Sequence, residues 1–226
     1  MVGSDELKKI SVFAGLSERH LSELGKIGVA KHFNKGDVIF SEKSKGKGLY
    51  FVISGRIKIY KTAAAGHIKV LSYLNKGDVF GEMAIFGGTW RSASALAMAK
   101  SKILLIKAQN FKDFTSKNTD VLLKIIATLI ERLKRAGDEI KSLAYTSVLA
   151  RTAFVLIDFA HQYGIRKGAK IVINFPLTHV EIASNVGSSR EVISRMLAKL
   201  GELKYIEYQK KQIAILNLQG LKKIIY

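Results

Sequence analysis

The chain has 226 residues, 48% of them hydrophobic and none of them cysteine, with 37 lysines and arginines against 18 aspartates and glutamates for a formal charge of +19. That length and apolar content suit one large domain or two modest ones with real cores and exclude a disordered chain. The missing cysteine excludes disulfides, thiolate metal sites, iron–sulfur clusters and a cysteine nucleophile, and no apolar run approaches the ~18 residues of a membrane span.

The start, Met1-Val-Gly-Ser-Asp-Glu, is acidic and lacks the apolar stretch of a secretory signal, and a cytoplasmic location is expected. The positive charge favours a polyanionic partner. It is spread along the chain, +11 over residues 1–140 and +8 over residues 141–226.

In chain order, apolar spacing over Leu7, Ile10, Phe13 and Leu16, then Leu21, Leu24 and Ile27, predicts helix from Asp5 to about Ala30. Short strands follow. Gly48–Tyr60 is β-branched and aromatic, broken at Ser54-Gly55 as a hairpin or a tight bend would be. The tripeptide Lys-Gly-Asp recurs at 35–37 and 76–78, each time opening a strand, and Gly turns at this spacing predict a small β-barrel or jelly roll. From Thr119 the period becomes heptad-like. Leu122, Ile126, Leu129, Leu133, Ala136, Ile140 and Leu143 form a seam that predicts a long helix associating with a second copy of the chain. Asn118, Thr119 or Asp120 is placed to cap it.

After Tyr145 the expected order is a helix over Val148–His161, a loop over Gln162–Ala169, and a strand over Ile171–Phe175 before the single proline, Pro176. Helices over Leu177–Asn185 and Ser188–Leu203 and a hairpin of Tyr205–Tyr208 with Gln212–Leu216 complete the chain. Strand, helices and hairpin in this order predict a winged helix. The fold class is therefore α+β, with a jelly-roll barrel over 1–118, a dimerisation helix over 119–145 and a winged helix-turn-helix over 146–226.

Two stretches carry chemistry. In Phe80-Gly-Glu-Met-Ala-Ile-Phe86, Gly81 admits a ligand close to the backbone, and the short turn Glu82–Ile85, Met83 within it, aims N–H groups at an anion. Arg91 offers a fork to a phosphate, Ser92 adds a hydroxyl, and Glu82 suits the hydroxyls of a sugar. In the run Leu177–Leu200, Ala183 is small where two helices cross, and Gly187 permits the turn between them. Val186, Ile193 and Met196 fill the junction, and Ser188 or Ser189 caps the second helix. Arg190, Glu191 and Arg195 share a face of that helix, where arginine reads guanine and glutamate accepts from cytosine. The five histidines, His20, His32, His67, His161 and His179, are scattered, with no paired-carboxylate or zinc-protease constellation. No enzyme is expected.

These residues resemble the catabolite-activator (CRP/FNR) family of bacterial transcription regulators. The Gly-Glu and Arg-Ser pairs are similar to its phosphate-binding cassette, and Leu71-Ser-Tyr-Leu-Asn-Lys-Gly-Asp78 is similar to the run before it. The resemblance implies a homodimer that binds palindromic double-stranded DNA, acts with RNA polymerase, and responds to a cyclic nucleotide, cyclic AMP first and cyclic GMP as the other candidate. No metal is implied. It implies ligand contacts from Gly81, Glu82, Met83, Arg91, Ser92, Leu71, Ser72, Arg132, Ala136 and Gly137. The family's base-binding Thr and Ser fall at Ala136 and Gly137, which have no side-chain donor or acceptor. Sugar and phosphate recognition is thus expected to be kept and base recognition altered, leaving cyclic GMP, a dinucleotide or cyclic AMP read through backbone and water. On the DNA side it implies base contacts from Arg190, Glu191 and Arg195, phosphate contacts from Thr178 and Ser189, and wing contacts from Lys210 and Lys211. The alternative is a ligand-independent regulator with a structural barrel.

Overall fold

A computed structural model of the protein describes residues 2–62, 68–88, 90–145, 147–209 and 212–225, the side chains of 138–145 excepted. They divide into two units, Met1–Leu133 and Lys134–Tyr226.

In the first unit, strands β1 (Gly28–Phe33), β2 (Val38–Phe40), β3 (Gly48–Ser54), β4 (Ile57–Thr62), β5 (Ile68–Leu74), β6 (Val79–Phe80), β7 (Ser94–Ala97) and β8 (Ser101–Lys107) form two antiparallel sheets. Their strand orders are β1-β8-β3-β6 and β2-β7-β4-β5, the winding of a jelly roll. β3 explains why its sequence shows no polar alternation. Val52 faces the barrel interior with Ile57, Leu74, Phe80, Ala95 and Ile103. Leu49, Phe51 and Ile53, on the other face, pack under Leu7, Ile10, Phe13, Leu21, Leu24, Phe111 and Phe114 from the helical segments. Both faces of this strand are covered, so nearly every position is apolar.

Ser54-Gly55 is a bend and not a hairpin, because β3 and β4 belong to different sheets. The expected first helix is also corrected. The chain forms α1 (Ser4–Leu7), a 3₁₀ turn over Ser11–Phe13 and α2 (Glu18–Ile27), with the Ser17 side chain accepting from His20 N–H at the start of α2. Gly28–Phe33, including Ala30, is strand. The repeated turns are real and alike. Asn34 and Asn75 each donate their N–H to the Oδ2 of Asp37 and Asp78 at 2.8 Å. Gly36 and Gly77 each donate to a strand carbonyl, Ala97 and Val52, at 2.8 Å. The Gly77 carbonyl further accepts from the Ser11 N–H and hydroxyl, at 3.2 and 2.9 Å.

α3 (Met83–Phe86) and α4 (Ala108–Thr115) precede the long α5 (Thr119–Tyr145). Val121 and Ile125 are buried in the core of the first unit, with Leu129 packed against it. Among the described side chains of α5 the exposed large apolar residues are Leu123, Ile126, Ile130 and Leu133. Over residues 119–137 the exposed stripe coincides with the expected seam in part. Leu122 is half-buried, Leu129 serves its own chain, and Leu123 and Ile130 join Ile126 and Leu133. Ile140 and Leu143 lie outside the described side chains.

The second unit holds α6 (Val148–Tyr163), β9 (Gly164–Lys167), β10 (Lys170–Ile173), α7 (His179–Val186), α8 (Arg190–Glu202), β11 (Ile206–Gln209), β12 (Gln212–Ile215) and α9 (Leu218–Ile225). Its sheet runs β11-β12-β10-β9. Two elements differ from expectation. The supposed loop Gln162–Ala169 contains β9, an edge strand with all four residues exposed, which leaves no hydrophobic alternation to read. α9 was not expected; the Asn217 side chain accepts from Gly220 N–H at its start, and Leu221 is its buried anchor. No helix among the described residues is long and apolar enough to cross a membrane.

Candidate functional site

The cassette begins where β6 ends. Gly81 takes a positive φ of 78°, and a Cβ there would stand 2.5 Å from Arg91 Nη1, so only glycine lets the two meet. Arg91 is 4% exposed. Its Nη1 donates to the Gly81 carbonyl at 2.6 Å and its Nη2 to the Gly48 carbonyl at 2.9 Å. The guanidinium lies over the rings of Phe40, at 4.3 Å, and Tyr50, at 5.2 Å. Burial pushes its pKa down from the ordinary arginine value, with Tyr50 and Glu82 opposing. The β2–β3 connection is laced to the same residue: Lys43 N–H donates to the Arg91 carbonyl and Arg91 N–H to that of Ser44, both at 2.8 Å.

Glu82 is equally buried, at 4%. Its partner in the structure comes from α5. Glu82 Oε1 accepts from Arg132 Nη1 of α5 at 3.1 Å, and Arg132 also donates to the Val79 carbonyl. Glu82 Oε2 and Arg91 Nε are buried without a hydrogen-bond partner. A buried polar atom left unmatched costs about 1–3 kcal/mol, more when charged. One acceptor and one donor of this kind in a single cassette fit a ligand carrying hydroxyls and an anion.

Gly81, Glu82, Met83, Arg91, Ser92 and Arg132 are thus brought together. Ser92 is exposed and its hydroxyl donates to Met83 Sδ at 3.3 Å. Leu71 and Ser72 lie on β5, in the opposite sheet from β6. Ala136 and Gly137 are exposed on α5, in the second unit. Phe40, Tyr50 and the Gly48 carbonyl escape a reading of the sequence. The glycines at 46 and 48 in a lysine-rich loop were the available signal: a Cβ on Gly46 would sit 3.2 Å from the Arg91 guanidinium carbon.

In the second unit the Thr178 hydroxyl oxygen accepts from Glu181 N–H at 3.1 Å and caps α7. Gly187 ends it with φ 72°, a left-handed cap, its N–H donating to the Ala183 carbonyl. Ser189, not Ser188, caps α8, accepting from Val192 N–H at 3.3 Å. Ile182, Val186, Ile193 and Leu197 are buried, while Met196, expected in the junction, is only half-buried. Arg190, Glu191 and Arg195 are all exposed. Hydrogen bonds from its own N–H and from Ser189 hold the Glu191 carboxyl below the usual carboxylate value, with Arg190 adding to the effect. Lys210 and Lys211 lie outside the described residues. Among the described residues no group of histidines and carboxylates could hold a metal ion.

Residues 30–118 match the cyclic nucleotide-binding domain family and residues 150–224 the Crp-like helix-turn-helix domain family. The chain is 30% identical over 170 residues to the cyclic AMP receptor protein of Thermus thermophilus, covering 75% of this chain and 76% of that one. It is 27% identical over 215 residues to a CRP-like cAMP-activated global transcriptional regulator of Mycobacterium tuberculosis, covering 95% and 96%. The solved structure of the Thermus thermophilus catabolite activator protein is similar with a TM-score of 0.55 and 26% identity, over 95% of this chain and 97% of that one. A jelly roll carrying a Gly-Glu and Arg-Ser cassette, followed by a winged helix-turn-helix and matched by these relatives along most of its length, places the chain in the CRP/FNR family of DNA-binding transcription regulators.

Proposed function

We propose that the protein is a homodimeric regulator whose hold on palindromic DNA is set by a cyclic nucleotide in the barrel. The observation that carries this reading is the pair of buried, unmatched atoms, Glu82 Oε2 and Arg91 Nε. A ribose hydroxyl suits the first and a phosphate oxygen the second. Cyclic AMP is the preferred effector, in keeping with the names of the relatives in Thermus thermophilus and Mycobacterium tuberculosis. The protein binds its effector unchanged and is not an enzyme.

The coupling runs through α5. Arg132 holds the oxygen of Glu82 next to the one a ribose would occupy, so ligand and helix share one carboxylate. The other side of α5 presents Leu123, Ile126, Ile130 and Leu133 to a second copy of the chain. A ligand that binds the DNA-competent packing of two such helices more tightly shifts the population toward it. In DNA, Arg190 and Arg195 read guanines, Glu191 a cytosine, and Thr178, Ser189, Lys210 and Lys211 hold phosphates. The barrel of 1–118, the dimer helix of 119–145 and the DNA-binding domain of 146–226 then act in the cytoplasm, alongside RNA polymerase.

A second reading has one observation in its favour. Arg91 and Glu82 already have partners of their own in Gly81, Gly48 and Arg132, as a purely structural barrel requires. Titration with cyclic AMP and cyclic GMP, following binding to a palindromic operator by fluorescence anisotropy, separates the two. A tighter complex with either nucleotide supports regulation, and an operator affinity indifferent to both supports the structural barrel. Leu133→Lys should release the operator in the same assay and run as a monomer in sedimentation.

A further inference from the structure

His179 is the first residue of α7, directly after the Thr178 cap. Its Nδ1 lies 2.6 Å from Ser194 Oγ on α8, and its ring packs at 5.0 Å, tilted by 45°, on Tyr208 of β11. One imidazole, carried by the first helix of the motif, therefore touches the second helix and the wing.

The neighbours decide which atom holds the hydrogen. Ser194 Oγ donates to the Arg190 carbonyl, one turn back, at 3.0 Å. A hydroxyl has a single hydrogen, so towards the imidazole this oxygen can only accept. Nδ1 consequently carries the hydrogen and donates it to Ser194. Nε2 is buried without a partner. The ring thus has one directed bond, and that bond ends on α8.

Ser194 stands four residues after Arg190 and one before Arg195, on the side of α8 that Arg190 shares. Base-edge contacts tolerate little error: a recognition constellation has to be held within about 0.5 Å and 10–20° of its working geometry. A roll of α8 about its own axis would carry both arginines out of register, and the side of α8 at Ser194 is where such a roll can be resisted.

We propose that His179 is a positioning residue for DNA reading, its Nδ1–H bond to Ser194 fixing the roll of α8 while His179 itself touches no base. This rests on α8 being the helix that enters the groove. The test uses the full-length protein and the palindrome it selects from random DNA, and compares affinity for that site with affinity for the same site altered at one guanine. His179→Phe keeps the ring on Tyr208 and removes the donor, and Ser194→Ala removes the acceptor. Each should lower the ratio of the two affinities about fivefold, the worth of one hydrogen bond, and leave affinity for random DNA unchanged. The double variant should lose no more than either single one, because both delete the same bond. His179→Asn, whose amide nitrogen falls where Nδ1 was, should restore the ratio, and His179→Gln, which reproduces Nε2, should not. Thermal melts check folding, and if His179→Phe unfolds, Ser194→Ala carries the test. An unchanged ratio in Ser194→Ala, or losses that add in the double variant, overturns the proposal. A wild type that selects no motif overturns the groove reading of α8, and the proposal with it.

Discussion

Arginine and glutamate appear in both candidate sites, in opposite circumstances. In the cassette Arg91 and Glu82 are each 4% exposed, and their charges are tied to Gly81, Gly48 and Arg132. On α8 Arg190, Glu191 and Arg195 stand in solvent, on a helix held by a serine cap. A buried charge has to be matched where it stands, so it can recognise only what completes an arrangement already formed. An exposed charge loses little by waiting in water and can be matched by whichever base edge meets it. The first arrangement suits one small ligand and the second a choice among many sequences.

Arg91→Ala is the hardest blow to this contrast. It strips the donors from the Gly81 and Gly48 carbonyls and leaves a bound phosphate without its cation, so nucleotide affinity measured by calorimetry should fall by about 2–5 kcal/mol. Unchanged affinity would mean that the buried arginine is scaffold and not recognition. Arg195→Ala should cost about 1–3 kcal/mol on the selected operator and almost nothing on random DNA. Equal losses on both would make this exposed arginine a phosphate holder, and the contrast would blur from the other side. Ser189→Ala sharpens it most gently. Loss of the α8 cap should lower stability by about 1 kcal/mol, seen as a lower melting temperature, with no change in nucleotide affinity.

The helix-turn-helix was legible almost residue by residue, because its signals are local. A serine at 188 or 189 is read as the cap of α8 and Gly187 as the turn after α7, whereas the Thr178 cap escapes because the helix is expected two residues early, from Leu177. The jelly roll was legible as a class from its strands and turns. What escaped depends on partners far away in the chain. Arg132 reaches Glu82 across 50 positions and Arg91 reaches Gly48 across 43, and no periodicity records either. Which face α5 turns to its own domain escapes for the same reason. Its apolar stripe is wide enough for two partners, and only packing decides that Val121, Ile125 and Leu129 go one way and Ile126, Ile130 and Leu133 the other. β9 failed differently: four exposed residues at a sheet edge have no buried side to betray them.

The twin Asn-Lys-Gly-Asp turns also bear on the order of folding events. Each closes over three residues through its own asparagine and aspartate, so both corners can form early, at little loop-closure cost. The segment ahead of α2 cannot. Ser11 docks on the Gly77 carbonyl, 66 positions along the chain, and that carbonyl is presented only once the second corner exists. The N-terminal segment is therefore expected to close over the outer face of β3 only after that corner has formed. A refolding experiment that follows it should see it arrive after the sheets have paired, as contacts of high sequence separation do.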